Sequence, residues 1–96
     1  MSNIKLPKIV RREIYFSSRY LVENRDKIDN KINQCKKEAL DLAKLNNYIN
    51  PKVIQEIYIP DVQYYSLELG GYMIYNSWKE CAGAFRYAVT VGEVAQ

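Results

Sequence analysis

A regular apolar stripe in the middle of the chain constrains its fold more than any other feature. Its members recur at intervals of four, three, four and three residues, and they are Ile28, Ile32, Cys35, Ala39 and Leu42. This spacing places them on one face of an α-helix. Charged and amide side chains fill almost all of the positions between them, so the opposite face would be solvated. The stripe therefore predicts an amphipathic helix from about residue 28 to residue 42.

A second stripe of the same kind lies near the end of the chain. Its spacing predicts a helix over about residues 74–91, and its members are Ile74, Trp78, Cys81, Phe85, Ala88 and Val89. Gly83 falls inside this segment, where a glycine costs about 1 kcal/mol relative to alanine. A glycine tolerated in a helix indicates close packing, so we expect this stripe to face the core.

Two serines separate the first apolar segment from the central stripe. Residues 7–16 begin with a proline and carry apolar residues four to five positions apart, which favours a short helix. Because Ile, Val, Tyr and Phe also favour strands, a strand over Ile9–Phe16 is the alternative. The hydroxyl of Ser17 or Ser18 can accept a hydrogen bond from a free amide of a new helix. We therefore expect one helix to end and another to begin at these serines.

Turn signals divide the middle of the chain. Three asparagines mark residues 45–51 as a loop, in which Asn50 would cap a helix that has Pro51 at its first position. Residues 52–59 predict a short apolar helix or a strand. Residues 60–71 predict a further helix that ends at two consecutive glycines.

These segments together predict an all-α fold of about five helices in one domain, residues 1–96. The tyrosine-rich residues 58–75 are where a strand is the alternative. A chain of 96 residues is long enough for one core only, and 48% hydrophobic residues exclude a disordered chain. Since no apolar run approaches ~20 residues and no signal peptide is evident, we expect a soluble cytoplasmic protein.

Charge is unevenly distributed along the chain. Residues 1–52 contain 12 Lys or Arg against 6 Asp or Glu, whereas residues 53–96 contain 2 against 5. A basic half can bind nucleic acid or an acidic protein. The tyrosines that could stack on bases lie mostly in the acidic half, which disfavours nucleic-acid binding. Alternating charges such as Arg25, Asp26 and Lys27 are more typical of a solvated helix face.

The residue types also limit the chemistry that we expect. The chain has no histidine and two cysteines, Cys35 and Cys81, too few for a structural zinc site of about four ligands. We therefore predict no metal, no cofactor and no catalytic residue, and we expect both cysteines to be reduced and buried. A small domain of this kind would work by docking on another macromolecule.

Three blocks of the sequence resemble the AsiA-type anti-sigma proteins of T-even-type phages. They are FSSRYLVENR (residues 16–25), KLNNYINPKVIQEI (residues 44–57) and GAFRY (residues 83–87), and they follow one another in the family's order. The first block is similar to the start of the family's second helix. The spacing differs by one residue before the second block and by about eight before the third.

The resemblance implies an all-helical protein that binds region four of the host housekeeping sigma factor, remodels it and stops promoter recognition by RNA polymerase. It also implies a homodimer in the free protein, co-activation of phage promoters and a location in the host cytoplasm. On the family's plan the sigma-binding surface would contain Ile9, Val10, Ile14, Phe16 and, at its rim, Arg19. The alternative is that the four apolar residues fill the core. A rival function is inhibition of another host defence or replication protein by a phage or mobile-element protein.

Overall fold

The computed structural model describes residues 8–62, 65–68, 70–72, 75–81 and 83–93. In chain order the elements are β1 (Ile9–Phe16), α1 (Ser18–Glu23), a 3-10 turn (Arg25–Lys27), α2 (Ile28–Leu45), β2 (Pro51–Pro60), β3 (Tyr65–Ser66), β4 (Gly71–Tyr72), a second 3-10 turn (Trp78–Glu80) and β5 (Phe85–Glu93). The prediction of an all-α fold with about five helices is wrong, because the described residues form five strands and two α-helices.

The main sheet has three strands in the order β1-β5-β2. The central strand β5 is antiparallel to both neighbours, so β1 and β2 run parallel to each other. The long helix α2 connects these two edge strands and packs on one face of the sheet. A second, two-stranded sheet joins β3 to β4.

The first predicted helix is instead the edge strand β1. Its register places Ile14 opposite Tyr87 and Phe16 opposite Phe85, so these apolar residues share the face that packs on the core. The β-branched and aromatic residues of this segment favour a strand. The alternative of a strand over Ile9–Phe16 is therefore confirmed.

The second predicted helix, over residues 74–91, is also wrong. Residues 78–80 form a 3-10 turn and residues 85–93 form β5, while positions 74 and 82 lie outside the described residues. Strand β5 is buried on both faces, and such strands consist almost entirely of apolar residues. Helical spacing can be found by chance in an apolar run of this kind. Gly83 lies in a bend ahead of β5 and not inside a helix.

Two corrections concern the middle of the chain. Pro51 begins β2 and not a helix, so the strand alternative for residues 52–59 is the correct one. The helix predicted over residues 60–71 is wrong for the part of that segment that the structure describes. There residues 65–66 pair with residues 71–72 as two short strands. Gly70, with φ of +68°, lies in the turn between these strands.

Three local predictions are confirmed. The central stripe forms α2, except that Leu42 is 37% exposed and Ala43 enters the core in its place. The chain does break at the serines, although a strand and not a helix ends there. Ser17 caps α1 by accepting a hydrogen bond from the Tyr20 amide at 3.1 Å. The asparagine loop precedes β2, and Asn47 and Asn50 adopt positive φ, a conformation that asparagine tolerates better than most residues.

The core lies between α2 and the sheet. The helix contributes Ile28, Ile32, Cys35, Ala39 and Ala43, and the central strand contributes Phe85, Tyr87, Val89 and Val91. Ala39 and Ala43 are fully buried, and their small size allows the helix to lie close to the large side chains of β5. Trp78 closes one end of the core and donates a hydrogen bond from Nε1 to Oδ1 of Asp29 at 2.7 Å.

No helix within the described part of the chain is long and apolar enough to cross a membrane.

Candidate protein-docking site

The face of the sheet that is turned away from α2 is the candidate docking site. Because strand side chains alternate between faces, the residues of β5 that do not enter the core lie on this face, which we call the open face. They are Arg86, Ala88, Thr90 and Gly92. The paired residues of β1 on the same face are Ile9, Arg11, Glu13 and Tyr15, and those of β2 are Lys52, Gln55, Ile57 and Ile59.

An irregularity in β2 adds a further apolar residue to the open face. The register shifts between Val53 and Gln55, and the Ile54 side chain inserted there reaches over Gly92. A Cβ atom placed on Gly92 would lie 3.1 Å from Cδ1 of Ile54. The small residues of β5 are therefore covered by longer side chains of the neighbouring strands, since Ala88 is 1% exposed and Gly92 is buried beneath Ile54.

The open face leaves large apolar side chains in contact with solvent. Ile9 is 53% exposed and Ile54 is 58% exposed, while Ile57 and Ile59 are half-buried. Single exposed apolar residues are ordinary on a protein surface, but several on one side of a sheet indicate a contact site. The arrangement can bury apolar area against another molecule.

Three charged groups of the open face, Arg11, Glu13 and Arg86, are paired with one another. The Glu13 carboxylate lies 2.9 Å from the Arg11 guanidinium and 3.8 Å from that of Arg86. The Tyr15 hydroxyl donates a hydrogen bond to Oδ2 of Asp61 at 2.7 Å. This hydrogen bond, with a smaller contribution from burial, raises the pKa of Tyr15. Glu13 therefore partly offsets the charges of Arg11 and Arg86, and the exposed Lys52 leaves the face weakly basic.

The structure separates the five residues predicted to bind a partner. Ile9 lies on the open face, and Arg19 is exposed on α1, where it pairs with Glu23 at 3.1 Å. Phe16 is 2% exposed and belongs to the core, and Val10 and Ile14 pack against that core. Only Ile9 of the four apolar residues is available for docking.

Tyr15, Ile54 and Ile57 are open-face residues that were not among the predicted partner-binding residues. The signal that could have identified Ile57 is the two-residue alternation along β2, which places it on one face with Ile59. Ile54 breaks that alternation because it occupies the irregular position, and no simple pattern would have assigned it to this face.

The two cysteines are free. Cys35 is buried as predicted, whereas Cys81 is only half-buried. Burial raises the pKa of both thiols, which keeps them protonated near neutral pH. Within the described ranges, no group of three or more His, Cys, Asp or Glu side chains could hold a metal ion.

Comparison with family models, with curated proteins and with solved structures gives no match to this chain. The resemblance to the AsiA-type proteins therefore rests on the three sequence blocks. Its implication of an all-helical fold does not hold for this chain, because the segment expected to be the first helix is β1.

Proposed function

We propose that this protein is a binding module that docks the open face of its sheet on an apolar surface of another protein. The observation that carries the proposal is the exposure of Ile9 and Ile54 near each other on this face, where Ile9 pairs with Gly92 and Ile54 lies over it. Burying apolar surface stabilises a complex by roughly 25 cal/mol for each Å² removed from water. Since Glu13 already pairs with Arg11 and Arg86, an apolar partner surface fits this face better than a strongly charged one.

The sequence resemblance suggests one partner to test first, region four of a bacterial housekeeping sigma factor. Binding there would inhibit promoter recognition and is consistent with a module that acts by occupation. The family's contact plan cannot be transferred, because Phe16 and Ile14 support the core. In this proposal the contact is made by Ile9 and by the isoleucines of β2. Another host protein targeted in the same way is the second candidate.

Nucleic-acid binding is supported less well by the charge arrangement. Several cations of the basic half lie close to carboxylates, as in the pairs Lys36–Glu56 at 2.9 Å and Arg12–Glu38 at 3.3 Å. A cation paired within the protein is less available to neutralise phosphates, which supply most of the affinity for nucleic acid.

Paired variants test the proposal. Ile54→Glu and Ile9→Glu place a charge on the open face, and desolvating that charge would cost several kcal/mol in an apolar contact. Leu45→Glu is the matched control, since Leu45 is 80% exposed at the end of α2. Tagged proteins would be incubated first with purified sigma region four and then with a bacterial lysate.

We expect the wild type and Leu45→Glu to retain the same partner, and the two open-face variants to lose it. Retention of that partner by Ile54→Glu at the wild-type level would overturn the proposal, as would failure of the wild type to retain any protein. Sedimentation of the wild type alone would show whether the protein forms a dimer. A dimer that Ile54→Glu dissociates would show that a second copy covers the face.

A further inference from the structure

A groove lies at one end of the main sheet and meets the open face at Asp61, which accepts the hydrogen bond from Tyr15. At this end of the sheet Phe85 pairs with Phe16 on one side and with Pro60 on the other. The groove is formed by the segments that follow β1 and β2 and by the segment that precedes β5. It consists of two adjoining hollows of about 420 Å³ and 340 Å³, and both are lined by Ser18 and Gly83. Ser18 holds the segments together, because its hydroxyl accepts a hydrogen bond from the Ala84 amide at 3.2 Å.

The larger hollow has an apolar lining. Helix α1 contributes Leu21 and Val22 to this lining, and the second 3-10 turn contributes Trp78 together with the adjoining Cys81. Val22 is 84% exposed, so a large apolar side chain stands at the entrance in contact with water. A hollow of this size and lining can accommodate a hydrophobic side chain.

Two cations border the same hollow. The Arg25 guanidinium lies 5.1 Å from the centre of the Trp78 ring, and Nζ of Lys79 lies 6.0 Å from it. Trp78 is held in orientation by its hydrogen bond to Asp29. Among the described residues, neither Arg25 nor Lys79 lies within salt-bridge distance of a carboxylate. Their charges are therefore available to a ligand.

The smaller hollow differs in charge. It is lined by Pro60, Asp61, Val62 and Tyr75, and the Asp61 carboxylate is the charged group there. The groove is thus basic at the Trp78 end and acidic at the Asp61 end. A ligand that fills both hollows would be elongated, with its negative charge at the Trp78 end.

From this geometry we infer that the groove binds an extended acidic peptide segment of a partner protein. A hydrophobic side chain of that segment enters the Trp78 hollow, and a neighbouring carboxylate lies between Arg25 and Lys79. Arg and Lys side chains can cover apolar surface with their stems while their charged heads stay in water, where they can attract an anion. The Trp78 hollow shares no residue with the open face, so the inference does not require the proposed function to be correct, although Asp61 at the other end of the groove bonds Tyr15 of that face.

The probe is the peptide acetyl-Ser-Glu-Phe-Glu-Ser-amide, which contains no tryptophan. Trp78 is the single tryptophan of the chain, so its fluorescence reports binding at the larger hollow directly. We expect a saturable change in emission with this peptide. Binding should weaken about tenfold or more when both glutamates are replaced by glutamine, and again when phenylalanine is replaced by glycine, a change of about 1.4 kcal/mol for each factor of ten.

Charge variants locate the site. Arg25→Glu and Lys79→Glu should each weaken binding about tenfold or more, while Lys37→Glu, an equal charge change at an exposed position of α2, should leave it within about twofold. The peptide should also slow labelling of Cys81 but not of Cys35. Circular dichroism would show that each variant is folded.

Three results would overturn the inference. They are the absence of a saturable change at millimolar peptide, an equal loss of affinity in Lys37→Glu, and binding of free phenylacetate as tightly as the peptide. The last result would show that the hollow takes a small organic acid and that the groove does not recognise an extended chain.

Discussion

The hydroxyl of Tyr87, on the central strand, donates a hydrogen bond to Oε1 of Glu56, on the edge strand β2, at 2.8 Å. Tyr87 is fully buried, and the same carboxylate oxygen lies 2.9 Å from Nζ of Lys36 on α2. One carboxylate thus joins the helix, the central strand and an edge strand. Hydrogen bonds to charged groups are stronger than those between neutral groups, so this contact stabilises the packing of α2 on the sheet.

Removal of the Tyr87 hydroxyl should destabilise the protein while keeping the aromatic ring in place. For Tyr87→Phe we expect the free energy of unfolding to fall by about 1.5–3 kcal/mol, the range for hydrogen bonds to charged groups. Tyr15→Phe is the matched control, because the Tyr15 hydroxyl also bonds a carboxylate but its side chain is 51% exposed. Urea denaturation would measure both variants. Equal losses in the two would show that burial does not determine the strength of the Tyr87 contact.

The same contact makes stability depend on acidity. Burial favours the neutral form of Glu56, but hydrogen bonds from Lys36 and Tyr87 and the charge of Lys36 outweigh it and lower the pKa of Glu56 from its ordinary value of 4.5. A carboxyl group whose pKa is lower in the folded state stabilises that state above the unfolded pKa. This stabilisation is lost as pH falls through the folded pKa.

We therefore expect the free energy of unfolding to decrease more steeply below pH 4.5 in the wild type than in Glu56→Gln, which has no charge to lose. Urea denaturation at a series of pH values from neutral to acid would measure the difference. Parallel curves for the two proteins would show that Glu56 has the same pKa in the folded and unfolded states.

The helix α2 could be predicted from the sequence because one of its faces is buried and the other is solvated. Its stripe from Ile28 to Ala39 repeats at helical spacing for this reason. Strand β5 is buried on both faces, so burial itself imposes no alternation of apolar and polar residues. The sequence feature that indicates a strand here is the alternation of the large residues Phe85, Tyr87 and Val89 with smaller or polar ones.

The candidate docking site was less predictable than the helix. Ile9 and Ile14 are both apolar residues of β1, yet the register with β5 places one on the open face and the other against the core. That choice depends on pairing with residues more than seventy positions away in the chain. A local pattern cannot decide it, which is why core and surface remained alternatives for the first apolar segment.

The N-cap of α1 can be tested by a substitution and its rescue. Ser17→Ala removes the oxygen that accepts from the Tyr20 amide, and loss of such a cap costs about 0.5–2 kcal/mol. Ser17→Asp restores an acceptor at the same position, so its free energy of unfolding should return close to the wild-type value. Thermal or urea denaturation of the three proteins would check this. A loss in Ser17→Asp as large as that in Ser17→Ala would show that the hydroxyl does not act as a cap.

The small residues of α2 determine how closely the helix lies against the sheet. Ala39 is 0% exposed, and Ala39→Leu would insert a larger side chain into a filled space. Overpacking of this kind costs about 1–3 kcal/mol, so we expect a clear loss of stability in urea denaturation. Lys37→Leu introduces the same side chain at an exposed position of the same helix and should change stability by no more than about 0.5 kcal/mol. If Ala39→Leu were as stable as Lys37→Leu, α2 would not pack on β5 at this residue, and the assignment of the core to this side of the sheet would be incorrect.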